Sequence, residues 1–488
     1  MQIFKIYKSK THKTHKKSNT QNITKNGGTF MKTLKKILSV FLSILVIGFV
    51  FTACKGNEDK PNNNTNTNNA AVKSIRYLNF KPEIADKYQE VADEYEKETG
   101  IKVIVETAAN NTYEQTLTAK MATDEAPTIF QINGPKGYIN WKDYCAELSG
   151  TEIYKHLNDK NMAVTSEGKV YGIPYVVEGY GIIYNSAITD KYFALDNKAT
   201  KFSSMDEINS FSALKELAED MQKNKEALGI DGVFSSTSLK AGEDWRWQTH
   251  LANVPIYYEF KKNNVDLTSD AIDKISFEYA ENFKNIFDLY TENSVSDKKD
   301  LGKKIVDESM AEFAQGKSAM VQNGNWAWSQ ISDISGNTVE ESNIKFLPIY
   351  TGIDGEENQG LCIGTENFLA INSKASEAEQ KAAADFLYWL YSSDKGKSYV
   401  VNDFGFIAPF DTFKEEETPN DPLAKEVVRY MNDDKYTNIP WQFTVFPSLN
   451  FKEDFGSALL QYVQGTKSFD DVKSTVVSKW ETESSMAK

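Results

Sequence analysis

Between Ser74 and Thr107 the hydrophobic positions change period twice. "SIRYLNF" (74–80) alternates as a half-buried strand does. The next stretch, "EIADKYQEVADEYEKETG" (83–100), sets Ile84, Tyr88, Val91 and Tyr95 at intervals of four, three and four, one face of a helix that Gly100 closes. "KVIVETA" (102–108) returns to strand, "TYEQTLTAKMATD" (112–124) reads as a helix, and "PTIFQIN" (127–133) as a third strand. This βαβαβ order predicts an α/β protein with a parallel sheet under covering helices. Ligand sites in such sheets lie beyond the carboxyl ends of the strands, here Asn79–Glu83 and Asn133–Lys136.

Downstream the pattern predicts a second body. "GKVYGIPYVVEGYGIIYNSAI" (168–188) is a Gly-punctuated β segment that reads as a crossing from one lobe to another. From Ser204 to Asn293 the pattern is mostly helical, interrupted by the aromatic run "GEDWRWQTHLANVPIYYEF" (242–260). "KSAMVQNG" predicts a short strand, "CIGTENFLAINS" (362–373) a second crossing, and "SEAEQKAAADFLYWLYSSDKGKSYV" a helix, with helices again from about 420. A chain of 488 residues exceeds the size at which one core keeps growing, which also predicts two lobes.

The start of the chain is processing signal rather than fold. Met31 to Cys54 has a basic n-region, an apolar run from Ile37 to Phe51 and a small residue before cysteine, the layout of a lipoprotein signal with Cys54 as lipid acceptor. Residues 1–30, Lys-rich and free of acids, read as untranslated sequence upstream of a true start at Met31, or as disordered. Residues 54–73, Asn-rich and without an apolar face, read as a disordered tether. Removing residues 1–53 takes away ten Lys and no acid, moving the net charge from −14 to −24. A chain this acidic repels phosphate backbones, so a nucleic-acid partner is disfavoured. Cys145 and Cys362 either pair or sit buried as small hydrophobes, and the unpaired state is expected.

Most catalytic chemistry fails on arithmetic. Only His156 and His250 remain after processing, too few for a His-rich metal site. No G-x-S-x-G elbow is present, and "AQGKS" and "DKGKS" lack the earlier glycine of a phosphate loop. The positive signal is aromatic side chains beside polar turns. Trp245 and Trp326 each follow polar turn residues and Tyr180 lies beside a glycine, with Glu178, Glu243 and Asp244 as the nearest acids. Flat rings next to hydrogen-bond acceptors suit the apolar faces and hydroxyls of a sugar. In "NGNWAW" the two indoles are two residues apart and need not share a role: Trp326 is the expected ligand platform and Trp328 a packing residue.

Five stretches in order, "YEKETGIKVIVE", "GKVYGIPYVVEGYGIIYN", "FAQGKSAMVQNGNWAWSQI", "FLAINSKASEAEQKAAADFLYWL" and "NIPWQF", resemble the extracellular solute-binding proteins of ABC importers, in the sugar-binding family of the maltose-binding-protein type. The resemblance runs from about Ser74 to the C-terminus. It implies a two-lobe periplasmic-binding-protein-like fold, its discontinuous lobes joined by crossing segments around a ligand cleft. Lobe one is expected over 74–182 plus 362–410 and lobe two over 183–361 plus 411–488. It further implies a monomeric, non-catalytic receptor without cofactor or metal, anchored through Cys54 to the outer face of the membrane. That receptor would pass a sugar or oligosaccharide to permease subunits; a polyamine binder and a secreted glycosidase are the alternatives. Carried over residue by residue, Trp326 stacks on sugar, Glu178 accepts from hydroxyls, Trp245 lies near a second aromatic position with Glu243 beside it, and Asn79, Lys81 and Glu83 reach the cleft. Asn133 stands where the maltose-binding type has a Trp, and Phe451 is the expected C-terminal aromatic contact.

Overall fold

In the computed structural model, which describes residues 72–486 apart from 109–111, 237, 266, 268–271 and 415, the first helix spans Ala85–Thr99 after a turn at Pro82–Ile84. Tyr88, Val91 and Tyr95 are 1%, 0% and 3% exposed, each burial stabilising by about 1.5–3 kcal/mol. Gly100 ends the helix at φ 75°, the left-handed geometry that favours glycine. The expectations for the signal peptide, Cys54 and nearly all of the tether fall on residues 1–71, outside the described residues. Among the described residues no helix is long and apolar enough to cross a membrane.

Among the described residues, twelve strands form two mixed sheets: β1 (Ser74–Asn79), β2 (Lys102–Thr107), β3 (Ile129–Ile132), β4 (Val164–Ser166), β5 (Lys169–Pro174), β6 (Glu178–Asn185), β7 (Gly232–Phe234), β8 (Ser318–Gly324), β9 (Ile344–Leu347), β10 (Gln359–Gly364), β11 (Phe368–Ile371) and β12 (Thr437–Pro440). The first sheet runs β2-β1-β3-β11-β5-β4, with β1 parallel to both β2 and β3 as the βαβαβ pattern predicts, and β11 antiparallel between β3 and β5. The second runs β12-β10-β6-β8-β7, with β9 also paired to β6. Helices cover both sheets, and each sheet has its own apolar core. This is the two-lobe periplasmic-binding-protein-like α/β fold.

The connections between sheets lie elsewhere than the expected boundaries. β6 and β10 belong whole to the second sheet, so 182/183 and 361/362 would cut hydrogen-bonded strands; the chain passes at 175–177 and 365–367 instead. A third passage follows the helix Glu377–Ser392 and lies against the first, Val177 N–H donating to the Ile407 carbonyl at 2.8 Å. Cys145 and Cys362 are both free and buried, one bridged to the first sheet and the other in β10, and burial pushes each thiol up to about 12.

Candidate functional site

The carboxyl ends of β1 and β3 in the first sheet meet the amino end of β6 and the carboxyl ends of β8 and β10 in the second. After β1 the chain makes a tight turn built on Asn79, which is 0% exposed. Its Oδ1 accepts from Lys81 N–H at 3.0 Å, and its Nδ2 donates to the Lys81 carbonyl and to Thr107 Oγ1 at 2.8 and 3.1 Å. The Asn79 amide thus shapes the loop, both of its N–H donors being used within the protein.

That loop aims Lys81 across to the second sheet, where Lys81 Nζ lies 2.6 Å from Glu178 Oε1 and 3.8 Å from Glu83. The two side chains of the close pair are 11% and 6% exposed, so this ion pair is largely out of water. Burial alone pulls the Lys81 ammonium down, but Glu178, Glu83 and Glu366 together leave it raised. Burial raises the Glu366 carboxyl, in the passage between β10 and β11, against the pull of Lys452 and Lys81. Lys452, on the helix Leu449–Val463, is lowered by burial with Glu366 opposing. The Lys81–Glu178 pair thus bridges the sheets, and the charges of Glu83, Glu366 and Lys452 act around it through space.

Glycines seat the aromatic side chains beside this network. Glu178 pairs in register with Gly364, where an added Cβ would lie 2.7 Å from the Trp441 ring. Tyr180 pairs with Gly324, where an added Cβ would overlap the Trp326 ring. Trp326 is half-buried and its centroid lies 6.2 Å from Trp245 and 5.5 Å from His250, while His250 stacks on Tyr180 at 4.2 Å and 11°. The guanidinium of Arg246 lies 3.7 Å from the Trp245 ring, a desolvated cation–π contact of about 2 kcal/mol. The indole N–H groups of Trp326 and Trp441 and Nδ1 of His250 are buried without a partner among the described residues. Trp328 packs instead into the cluster of Val177, Ile183 and Ile331, so the paired indoles do separate work.

Several expected contacts take other roles. Tyr180 is 0% exposed and its hydroxyl donates to the His250 carbonyl at 3.1 Å, which makes it core. Phe451, also 0% exposed, meets Trp480 edge-on at 5.3 Å deep in the second lobe. Glu243 Oε2 accepts from Val306 N–H at 3.1 Å and caps the helix Val306–Ala314. Glu83 is exposed at the rim, and Asn133, at the end of β3, has a buried Oδ1 without a partner among the described residues. Next to it Gly134, at φ +61°, would place a Cβ 3.0 Å from Thr444 Cβ, so the two lobes touch there. Trp441 and His250 were missed by sequence reasoning; "NIPWQF" offered a signal for the first, while a lone histidine offered none.

Asp244 gives the site region a pH dependence. Burial, reinforced by Glu453, pushes its carboxyl up to about 6 against hydrogen bonds from backbone N–H groups and Gln248. The unfolded group titrates near 3.9, so the native state binds the extra proton between about 4 and 6 and stability falls as pH rises through that window. Asp244→Asn is expected to raise the melting temperature at pH 8, by an amount reflecting about 2–3 kcal/mol, with the gain vanishing towards pH 4. Thermal unfolding of both proteins across that range measures it.

The family profile described as bacterial extracellular solute-binding protein matches residues 90–426. The chain belongs to that family. Among solved structures, a chitin oligosaccharide binding protein is 17% identical, with 85% of this chain and 99% of that one covered at a TM-score of 0.63. The solute-binding protein RafE in complex with raffinose is 18% identical over 84% of this chain and 99% of its own, also at 0.63. A sugar transporter protein from Bacillus licheniformis in complex with stachyose is 17% identical, covering 84% and 100%, at 0.59. At these identities the likeness is one of fold. The family is one of extracellular binding proteins rather than hydrolases, and among the described residues no group of three or more His, Cys, Asp or Glu is placed to hold a metal ion.

Proposed function

We propose that this solute-binding protein captures a sugar or oligosaccharide outside the cell and delivers it to the permease of an ABC importer, tethered to the membrane through Cys54. The observation that carries the reading is the pair of half-buried indoles, Trp245 and Trp326, 6.2 Å apart beside a buried ion network at the junction of the two sheets. Their rings offer apolar faces to sugar C–H groups, and Glu178, Lys81, Asn133 and, at the rim, Glu83 offer polar partners to hydroxyls. The fold neighbours bound to raffinose and stachyose, and the one described as binding chitin oligosaccharide, support the same class of solute. A solute that touches both lobes stabilises the closed state by its preference for that state.

A polyamine is less well accommodated, because Lys81 already neutralises Glu178. Titration calorimetry with raffinose, stachyose, chito-oligosaccharides and spermidine tests the reading. Saturable heat with at least one saccharide, and none with spermidine, is the expected result. Binding of spermidine alone would overturn it, as would release of shorter sugars from the saccharides during the titration.

A further inference from the structure

Arg246 is fully buried, 0% exposed, at the start of the wide turn Arg246–Leu251. Among the described residues, only Nη2 of its guanidinium nitrogens has a partner, Asn323 Oδ1 at 3.1 Å; Nε and Nη1 have none there. Glu243 and Asp307 act on its charge through space, without an ion pair to either among the described residues, and burial lowers it only to about 9, so the group stays cationic at neutral pH. Replacing a buried cation by an apolar side chain of similar volume is often neutral or stabilising, so folding alone gives little reason for a charge here.

Its contacts supply a reason. The guanidinium covers one face of Trp245 at 3.7 Å, while the ring of His250 meets the same indole edge-on at 4.8 Å. The Asn323 Oδ1 that Arg246 holds also accepts from Gly324 N–H at 3.0 Å, at the turn that seats Trp326. The Arg246 carbonyl in turn accepts from Gln322 Nε2 at 2.8 Å. Stacking and the two hydrogen bonds tie the Trp245 loop to the end of β8, and the planar fork of Arg is the side chain that can stack and donate at once.

We propose that Arg246 is a positioning residue that sets the relative placement of Trp245 and Trp326. Its use in binding rests on the solute-binding reading above, but the placement itself is measurable without any solute. Two indoles 6.2 Å apart couple in circular dichroism, and Trp245→Ala and Trp326→Ala, by deleting one partner, identify that couplet. In Arg246→Met the couplet is expected to be lost while the overall secondary-structure signal and a cooperative melt persist, and adding Trp245→Ala to it changes nothing further. Arg246→Lys keeps the charge but cannot stack and donate together, so it is expected to restore only part of the couplet; it carries the test if the Met variant does not fold. A couplet of wild-type amplitude in either variant, or one that Trp245→Ala does not remove, would overturn the proposal. Calorimetry with raffinose is the second readout, with affinity expected to fall about tenfold in Arg246→Met. Absence of heat with raffinose in the wild-type protein counts against the sugar reading for that probe and leaves the couplet result standing.

Discussion

Lys81→Met is expected to cost about 3–5 kcal/mol of stability, the range for removing one partner of a buried ion pair. The loss comes from Glu178, whose side chain is 6% exposed and whose close partner at 2.6 Å would be gone. A double variant, Lys81→Met with Glu178→Gln, removes the stranded charge as well and is expected to recover most of the deficit. The pH dependence carries a definite sign. The Lys81 ammonium is raised in the fold, so its contribution is fully present below the unfolded value near 10.4 and is lost only as pH rises through the folded one. Chemical denaturation of the wild type and the two variants at pH 7 measures the loss and its recovery. A single variant as stable as the double at pH 7 would show that the carboxylate finds water.

The second large effect concerns the indole that Gly324 seats. Trp326→Ala is expected to weaken the tightest saccharide of the panel by about 2–4 kcal/mol, the scale of an aromatic anchor, or roughly thirtyfold to a thousandfold. Gly324→Ala deletes no ring atom, yet its Cβ would occupy the space of the Trp326 ring. The indole must leave its seat, so a comparable loss is expected. Trp328→Ala, in a different apolar cluster, is expected to lower the melting temperature and leave affinity unchanged. Calorimetry together with thermal melts on the three variants separates platform from packing. Wild-type affinity in Gly324→Ala would mean that the solute does not meet Trp326.

The long-period features were legible in the chain because they are local. The helix Ala85–Thr99 announces its buried face at helical spacing, and β1 to β3 announce themselves by alternation and helical spacers. β7, β9 and β12 are three or four residues long and owe their existence to partners far away, β12 to β10 across more than seventy positions, so no window of sequence marks them, while β4 pairs with its neighbour β5 but at three residues is too short to show a period. The same distinction runs through the site. Trp326 and Trp245 stand next to polar turns, a local signal. Tyr180 and Phe451 look the same in sequence whether they face a cleft or a core, and only the packing of His250 and Trp480 against them decides. The role of Glu243 depends on Val306, sixty-three residues on. Asn79 was readable: an Asn that bonds the N–H two residues ahead is a recurrent turn device.

The position of β11 has a consequence for how the molecule comes into being. It is an inner strand of the first sheet, hydrogen-bonded to β3 on one side and β5 on the other, yet it is made after nearly the whole second sheet. Until Phe368–Ile371 has left the ribosome, β3 and β5 cannot be joined and each presents an open edge. The first lobe therefore cannot finish folding until the chain has been made past Ile371, after most of the second sheet. For a protein of an extracellular family, that delay is the interval in which the open edges can pair with the wrong strand.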